Sequence, residues 1–136
     1  MIRCAVLLVC LGGAASAQEM TSAPGGLIRV LDKLTGVVAD FDLGRGQSQT
    51  LGRLTVLLDE CRYPTNDPPA EAEAHLTVTD SLLTTTAFSG WMIASSPALS
   101  ALDHPRYDVW VLTCDYPRRD SPAEPEPEAT TDAVGE

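Results

Sequence analysis

Apolar and polar side chains alternate with a period of two over most of residues 27–115, and helical periodicity is nearly absent. That is the pattern of strands with one face in water. Leu27 to Leu31 is apolar and β-branched, Asp32-Lys33-Leu34-Thr35-Gly36 supplies a turn, and Val37, Ala39, Phe41 and Leu43 alternate with Val38, Asp40 and Asp42. The pair predicts a hairpin. Gly44-Arg45-Gly46 turns the chain again, and Leu54, Val56 and Leu58 opposite Thr55, Leu57 and Asp59 predict a strand ending at Cys61. Tyr63 to Pro69 carries three prolines and reads as a stiff loop. Ala72, Ala74, Leu76 and Val78 alternate with Glu71, Glu73, His75 and Thr77 in the next strand. Thr84 to Ala94 is apolar on both faces, Phe88 and Met92 on one and Trp91 and Ile93 on the other, which predicts a central strand. Ser96-Pro97 offers an N-cap and a first helical position, so one helical turn is expected before Asp103-His104-Pro105 stops it. Arg106 to Asp115 closes the pattern as a strand with Val109, Val111 and Thr113 on one face and Trp110, Leu112 and Cys114 on the other. The fold class is all-β: a small antiparallel sandwich or barrel with one short helical turn.

The ends are of a different character. Residues 1–17, MIRCAVLLVCLGGAASA, combine Arg3, an apolar run and Ala-Ser-Ala, which predicts a secretory signal peptide cleaved between Ala17 and Gln18 and a periplasmic protein. Lipidation at Cys10 is the rival reading, but Val9 stands where a small residue belongs. Residues 18–26 read as a flexible leader, 27–115 as the domain, and 116–136, rich in Pro and Glu, as a disordered tail. No segment beyond the signal approaches the roughly 20 apolar residues of a membrane span.

The 136 residues carry a formal charge of −10, and loss of the signal removes one arginine and no acid. A chain this acidic lacks the basic footprint that nucleic acid requires. Cys4 and Cys10 fall in the signal, so export leaves Cys61 and Cys114, an even pair in an oxidising space, and predicts a disulfide between them. Redox catalysis would want a close Cys-x-x-Cys pair, which is absent.

The stretch FSGWMIASSPALSALDHPRYDVWVLTC from Phe88 to Cys114, with Leu31-Asp32-Lys33-Leu34-Thr35 and Gly52-Arg53-Leu54 ahead of Cys61, resembles a family of exported alphaproteobacterial proteins known as a domain of unknown function. The resemblance spans residues 30–114. It implies a small secreted domain with two cysteines at these places, and carries over no activity, substrate or catalytic residue.

Candidate chemistry is sparse. Asp40-Phe41-Asp42-Leu43-Gly44 suggests a calcium loop, but Arg45 stands where the loop needs glycine and Leu51 where it needs a bidentate Glu. His75 and His104 alone make a poor zinc site, so no metal and no cofactor is expected. Ser95 or Ser96 with His104 and Asp103 or Asp108 has the residue types of a hydrolase, in which His takes a hydroxyl proton and a carboxylate holds the ring. Ser96, His104 and Asp108 are its members in the sharpest form; capping by Ser96 and pairing of Asp108 with Arg106 is the structural alternative. Trp91 and Trp110 fit a core or, with Tyr107 and Tyr63, a surface for sugar rings or partner side chains. The loop Ser95 to Tyr107, with Leu99, His104 and Arg106, is the expected contact surface. The reading is a non-enzymatic periplasmic binding or envelope-assembly module whose partner is another envelope protein or a polysaccharide. The alternative is a small secreted hydrolase or carbohydrate-binding protein acting on cell-wall or surface polysaccharide.

Overall fold

A computed structural model describes residues 17–117. The expected signal, apart from Ala17, and the tail from residue 118 onward lie outside the described residues. Among the described residues eight strands run in chain order: β1 (Met20–Ala23), β2 (Gly25–Asp32), β3 (Val37–Gly44), β4 (Ser48–Leu51), β5 (Leu54–Pro64), β6 (Glu73–Asp80), β7 (Phe88–Ile93) and β8 (Tyr107–Cys114). Short 3-10 turns occupy Pro68–Ala70 and Pro97–Ser100. The large sheet is ordered β1-β5-β6-β7, with β4 also on β5, and the small sheet β3-β2-β8; all pairings are antiparallel. No helix among the described residues is long and apolar enough to cross a membrane.

The alternating positions explain the core. Ile28, Val30, Phe41, Leu43, Leu54, Val56, Leu58, Leu76 and Val78 are buried between the sheets, while their sequence neighbours face water. Two β-bulges then reverse the phase. In β5 the register shifts between Leu58 and Glu60, and in β8 the pairing with β2 shifts between Val111 and Thr113. An extra residue in one strand turns everything beyond it to the other face. Leu58 and Cys61 are therefore both interior, as are Val111 and Cys114. The expected grouping of Cys114 with Trp110 and Leu112 is thus corrected: those two stay outside. The disulfide Cys61–Cys114, with its Cα atoms 5.6 Å apart, joins the two sheets. Gly26 lies against it, since a Cβ there would meet Cys61 Sγ at 2.7 Å and the Thr113 carbonyl at 2.8 Å.

Three further expectations change, and one strand is unanticipated. The leader over 18–26 is largely strand: β1 pairs with β5 from Met20↔Pro64 to Ala23↔Cys61, and β2 begins at Gly25. Its polar side chains hid it, because β1 contributes one buried alanine. The short strand β4, which places Ser48, Gln49 and Thr50 in solvent, is hidden for the same reason. Thr84 to Ala94 is not a central strand. Only Phe88–Ile93 is extended, and β7 has β6 as its single neighbour in the sheet. Lastly, Tyr116, placed in the tail, packs its ring edge-on against Tyr63 with centroids 5.8 Å apart.

Candidate functional site

The loop expected to carry function leads into a buried polar cluster at the start of β8. His104 is 5% exposed. Its Nδ1 accepts the backbone N–H groups of Arg106 and Tyr107, both at 3.1 Å, so Nε2 carries the proton and donates to Asp80 Oδ2 at 3.0 Å. Asp80 also accepts Arg53 Nε at 2.7 Å and the Leu82 N–H at 2.8 Å. Burial opposes ionisation of Asp80, but the Leu82 N–H, His104 and Arg53 outweigh it and hold its pKa below the usual carboxylate range. The Arg53 N–H reaches the Tyr107 hydroxyl at 3.3 Å. Beside this, Arg106 grips Asp32 through Nη2 at 2.6 Å and Nε at 3.1 Å, and the Asp32 carboxyl is lowered to about 2, chiefly by that guanidinium. Lys33 Nζ donates to the His104 carbonyl at 2.8 Å and pairs with Asp108 at 3.1 Å.

Four chain segments, around Asp32, Arg53, Asp80 and His104, are thereby tied at one end of the sandwich. The sequence carries a signal for two of the acids. Ile28-x-Val30-x-Asp32 and Leu76-x-Val78-x-Asp80 each end an inward-facing row on a carboxylate, and a buried acid needs a partner.

The hydrolase residues are not brought together. Both imidazole nitrogens of His104 are engaged elsewhere, and Asp108 pairs with Lys33 rather than with Arg106 or the ring. Ser96 makes no capping hydrogen bond, and its hydroxyl lies 3.5 Å from that of Ser95. Ser95 bonds Glu71 through its hydroxyl and, at 3.0 Å, through its N–H. Asp103 is exposed.

The contact residues also divide. His104 and Tyr107 are interior and cannot meet a partner, and Arg106 is committed to Asp32. Leu99 is 77% exposed. Trp91 and Trp110 are both half-buried, on opposite outer faces of the sandwich, so they form no shared platform. Arg62 lies over the Trp91 ring at 4.0 Å and His75 meets it edge-on, a pairing across β5, β6 and β7 that sequence order conceals. Trp110 stands beside the exposed Arg29–Asp40 pair on the small sheet.

β8 is the edge of the small sheet, and its Val109 and Val111 are buried, 5% and 4% exposed. Lys33 N–H donates to the Arg106 carbonyl at 2.7 Å, which sets the phase of the β2–β8 ladder. Asp108 and Trp110 then turn their backbone groups toward β2, while Tyr107, Val109 and Val111 turn theirs away. The Tyr107 N–H is taken by His104. Among the described residues, the N–H and C=O groups of Val109 and Val111 have no backbone partner on that side. Hollows follow the edge: one of about 260 Å³ between Pro97, Ala98, Ala101, Leu102 and the Asp108–Trp110 stretch, and one of about 160 Å³ where Pro68, Glu71 and Ala94 face Leu112 and Thr113.

Comparison with known proteins gives a family profile, described as an uncharacterized protein conserved in bacteria (DUF2155), that matches residues 26–114. The chain is also 26% identical over 99 residues to the uncharacterized protein RP359 of Rickettsia prowazekii (strain Madrid E). That match covers 71% of this chain and 64% of the relative's length. No solved structure matches significantly.

Proposed function

The chain belongs to the DUF2155 family of uncharacterized proteins conserved in bacteria, and from that premise we propose that it is a non-enzymatic binding or assembly module of the cell envelope. It is exported through the signal over residues 1–17 and works in the periplasm. The observation that carries this reading is the pair of hollows along β8, with the exposed Leu112 at one of them. The Cys61–Cys114 bridge fits an oxidising compartment. The residues with catalytic chemistry are spent on internal bonds: His104 and Asp80 on each other, Asp32 on Arg106.

The test is a photo-crosslinking side chain placed at Leu112 beside the hollows of β8, and separately at Val38 on β3, in cells that produce the full chain. A discrete adduct with an envelope component from Leu112 and none from Val38 is expected. No adduct from either position, or the same adducts from both, overturns the reading. Fractionation of the same cells checks compartment, and retention in the cytoplasm would remove the export half of the proposal.

A further inference from the structure

A second exposed feature lies away from the hollows of β8, at the end of the sandwich where the His104 network sits. Leu34 in the β2–β3 turn and Leu82 and Leu83 in the turn after β6 are 76%, 70% and 50% exposed. Lone exposed leucines are ordinary, but these stand on two turns that one network fixes. Asp32 Oδ1 accepts the Leu34 N–H at 3.0 Å and Asp80 Oδ1 accepts the Leu82 N–H at 2.8 Å, while Arg106 and His104 hold the two carboxylates from one short segment. The other amides of the tips are engaged as well. Lys33 and Ser81 donate to the carbonyls of Arg106 and Arg53, Gly36 and Leu83 to those of Asp32 and Asp80, and Thr35 to Asp32 Oδ1. From Lys33 to Gly36 and from Ser81 to Leu83 every backbone N–H thus has a partner within the protein, although water is at hand to take it. Such tips can pass from water into an apolar medium without stranding an amide.

Charge divides along the same axis. Three of the six cationic side chains in residues 17–117, Lys33, Arg53 and Arg106, stand at this end with four acids, Asp103, Asp108 and the buried Asp32 and Asp80. The other nine carboxylates of the described residues share three arginines. The leucine end is therefore close to neutral and the remainder strongly acidic. We propose that this end docks on a phospholipid surface, with Leu34, Leu82 and Leu83 entering the boundary between headgroups and acyl chains while the acidic remainder stays in water. The contact goes beyond the binding-module reading, since it uses another face and another partner. The shape of the tips favours lipid over protein. The three leucines line none of the hollows along β8, so a folded partner, a second copy included, would have to bring a fitted pocket for each turn, whereas acyl chains close around any shape. Acidity then selects the lipid: zwitterionic headgroups admit the tips, and anionic ones repel the rest of the chain.

The test is flotation with lipid vesicles of the oxidised protein recovered from cells that produce the full chain. Wild type and variants share whatever remains of residues 1–17, so differences among them report on the tips. Binding to phosphatidylcholine vesicles is expected, unchanged at roughly 0.5 M salt and severalfold weaker when about a third of the lipid is phosphatidylglycerol. Leu34→Ser should weaken it about fivefold, and the triple variant Leu34→Ser, Leu82→Ser, Leu83→Ser about a hundredfold with unchanged thermal unfolding. If the triple variant unfolds earlier, the single variant carries the comparison. Leu99→Ser, which removes an equally exposed leucine from the Pro97–Ser100 turn, should bind as wild type does. No binding by wild type, binding that the leucine variants keep, binding lost in salt or strengthened by phosphatidylglycerol, or an equal loss in Leu99→Ser overturns the proposal. Self-association without lipid that the triple variant abolishes also overturns it, and makes the tips a contact between copies. A Leu112 crosslink that persists in the triple variant keeps the binding-module reading whichever way the vesicles decide.

Discussion

The two ends of β8 are fastened by different chemistry. At Cys114 a covalent bond ties the strand to β5 across the sandwich. At Tyr107 no single bond does so; His104, Asp80, Arg53, Asp32 and Arg106 share a network in which every buried side-chain polar atom has a partner. The difference teaches how an edge strand with one neighbour is kept from fraying. Both anchors pull inward, and between them Val109 and Val111 stay in the core although β8 has β2 as its single neighbour in the sheet. A polar cluster can thus mimic an active site in sequence while its job is to hold a strand in place.

The covalent end should break hardest. Replacing Cys61 and Cys114 together by serine removes a crosslink between residues 53 apart, which chain entropy puts at about 4 kcal/mol, read as a lower urea midpoint. At the other end, His104→Ala leaves the buried Tyr107 N–H, the part-buried Arg106 N–H and the Asp80 carboxylate short of a partner, and a loss of about 3 kcal/mol is expected in the same assay. If His104→Ala costs less than about 0.5 kcal/mol, the hydrogen-bonded anchor does not exist and the comparison collapses. Gly52→Ala probes that end more gently. Its φ of +59° favours glycine, and an added Cβ would lie 2.6 Å from the Tyr107 hydroxyl, so about 1–2 kcal/mol is expected.

Acid sharpens the contrast, since it acts on one anchor alone. Asp32 has a pKa of about 2 in the fold against an ordinary value of 3.8, so its contribution is whole above pH 4 and is lost as pH falls through 2. Asp80 is shifted in the same direction. Stability of the oxidised protein should therefore fall between pH 4 and 2, and in Asp32→Asn the fall should be shallower. The smallest effect belongs to Leu99→Ser. That side chain touches little, and a change within about 0.5 kcal/mol is expected; a larger loss would place Leu99 in the core.

Much of the fold was legible. The β2–β3 hairpin, the alternation of β6 and the turn at Pro97 follow from local pattern, because period-two burial is written into neighbouring residues. Less of the candidate site was. Parity would put Asp32 and Asp80 on the inner face, though the local pattern reads Asp32 as part of a turn, and their partners Arg106, Arg53 and His104 lie 74, 27 and 24 residues away. No local rule links such distances. The edge position of β8 was invisible too, since it depends on which strand is missing beside it.

The sequence by itself determined that this is an acidic, all-β chain with a cysteine near the end of each of two strands, because alternation, turn residues and charge are local properties of the polymer. Only the tertiary structure decided which faces the cysteines take. By simple alternation Cys61 and Cys114 point outward, and one extra residue in each strand, at Asp59 and at Leu112, turns both inward to meet. A bulge is a fault between two strands, and its place is set by the partner's hydrogen bonds rather than by the side chains of the strand that bears it.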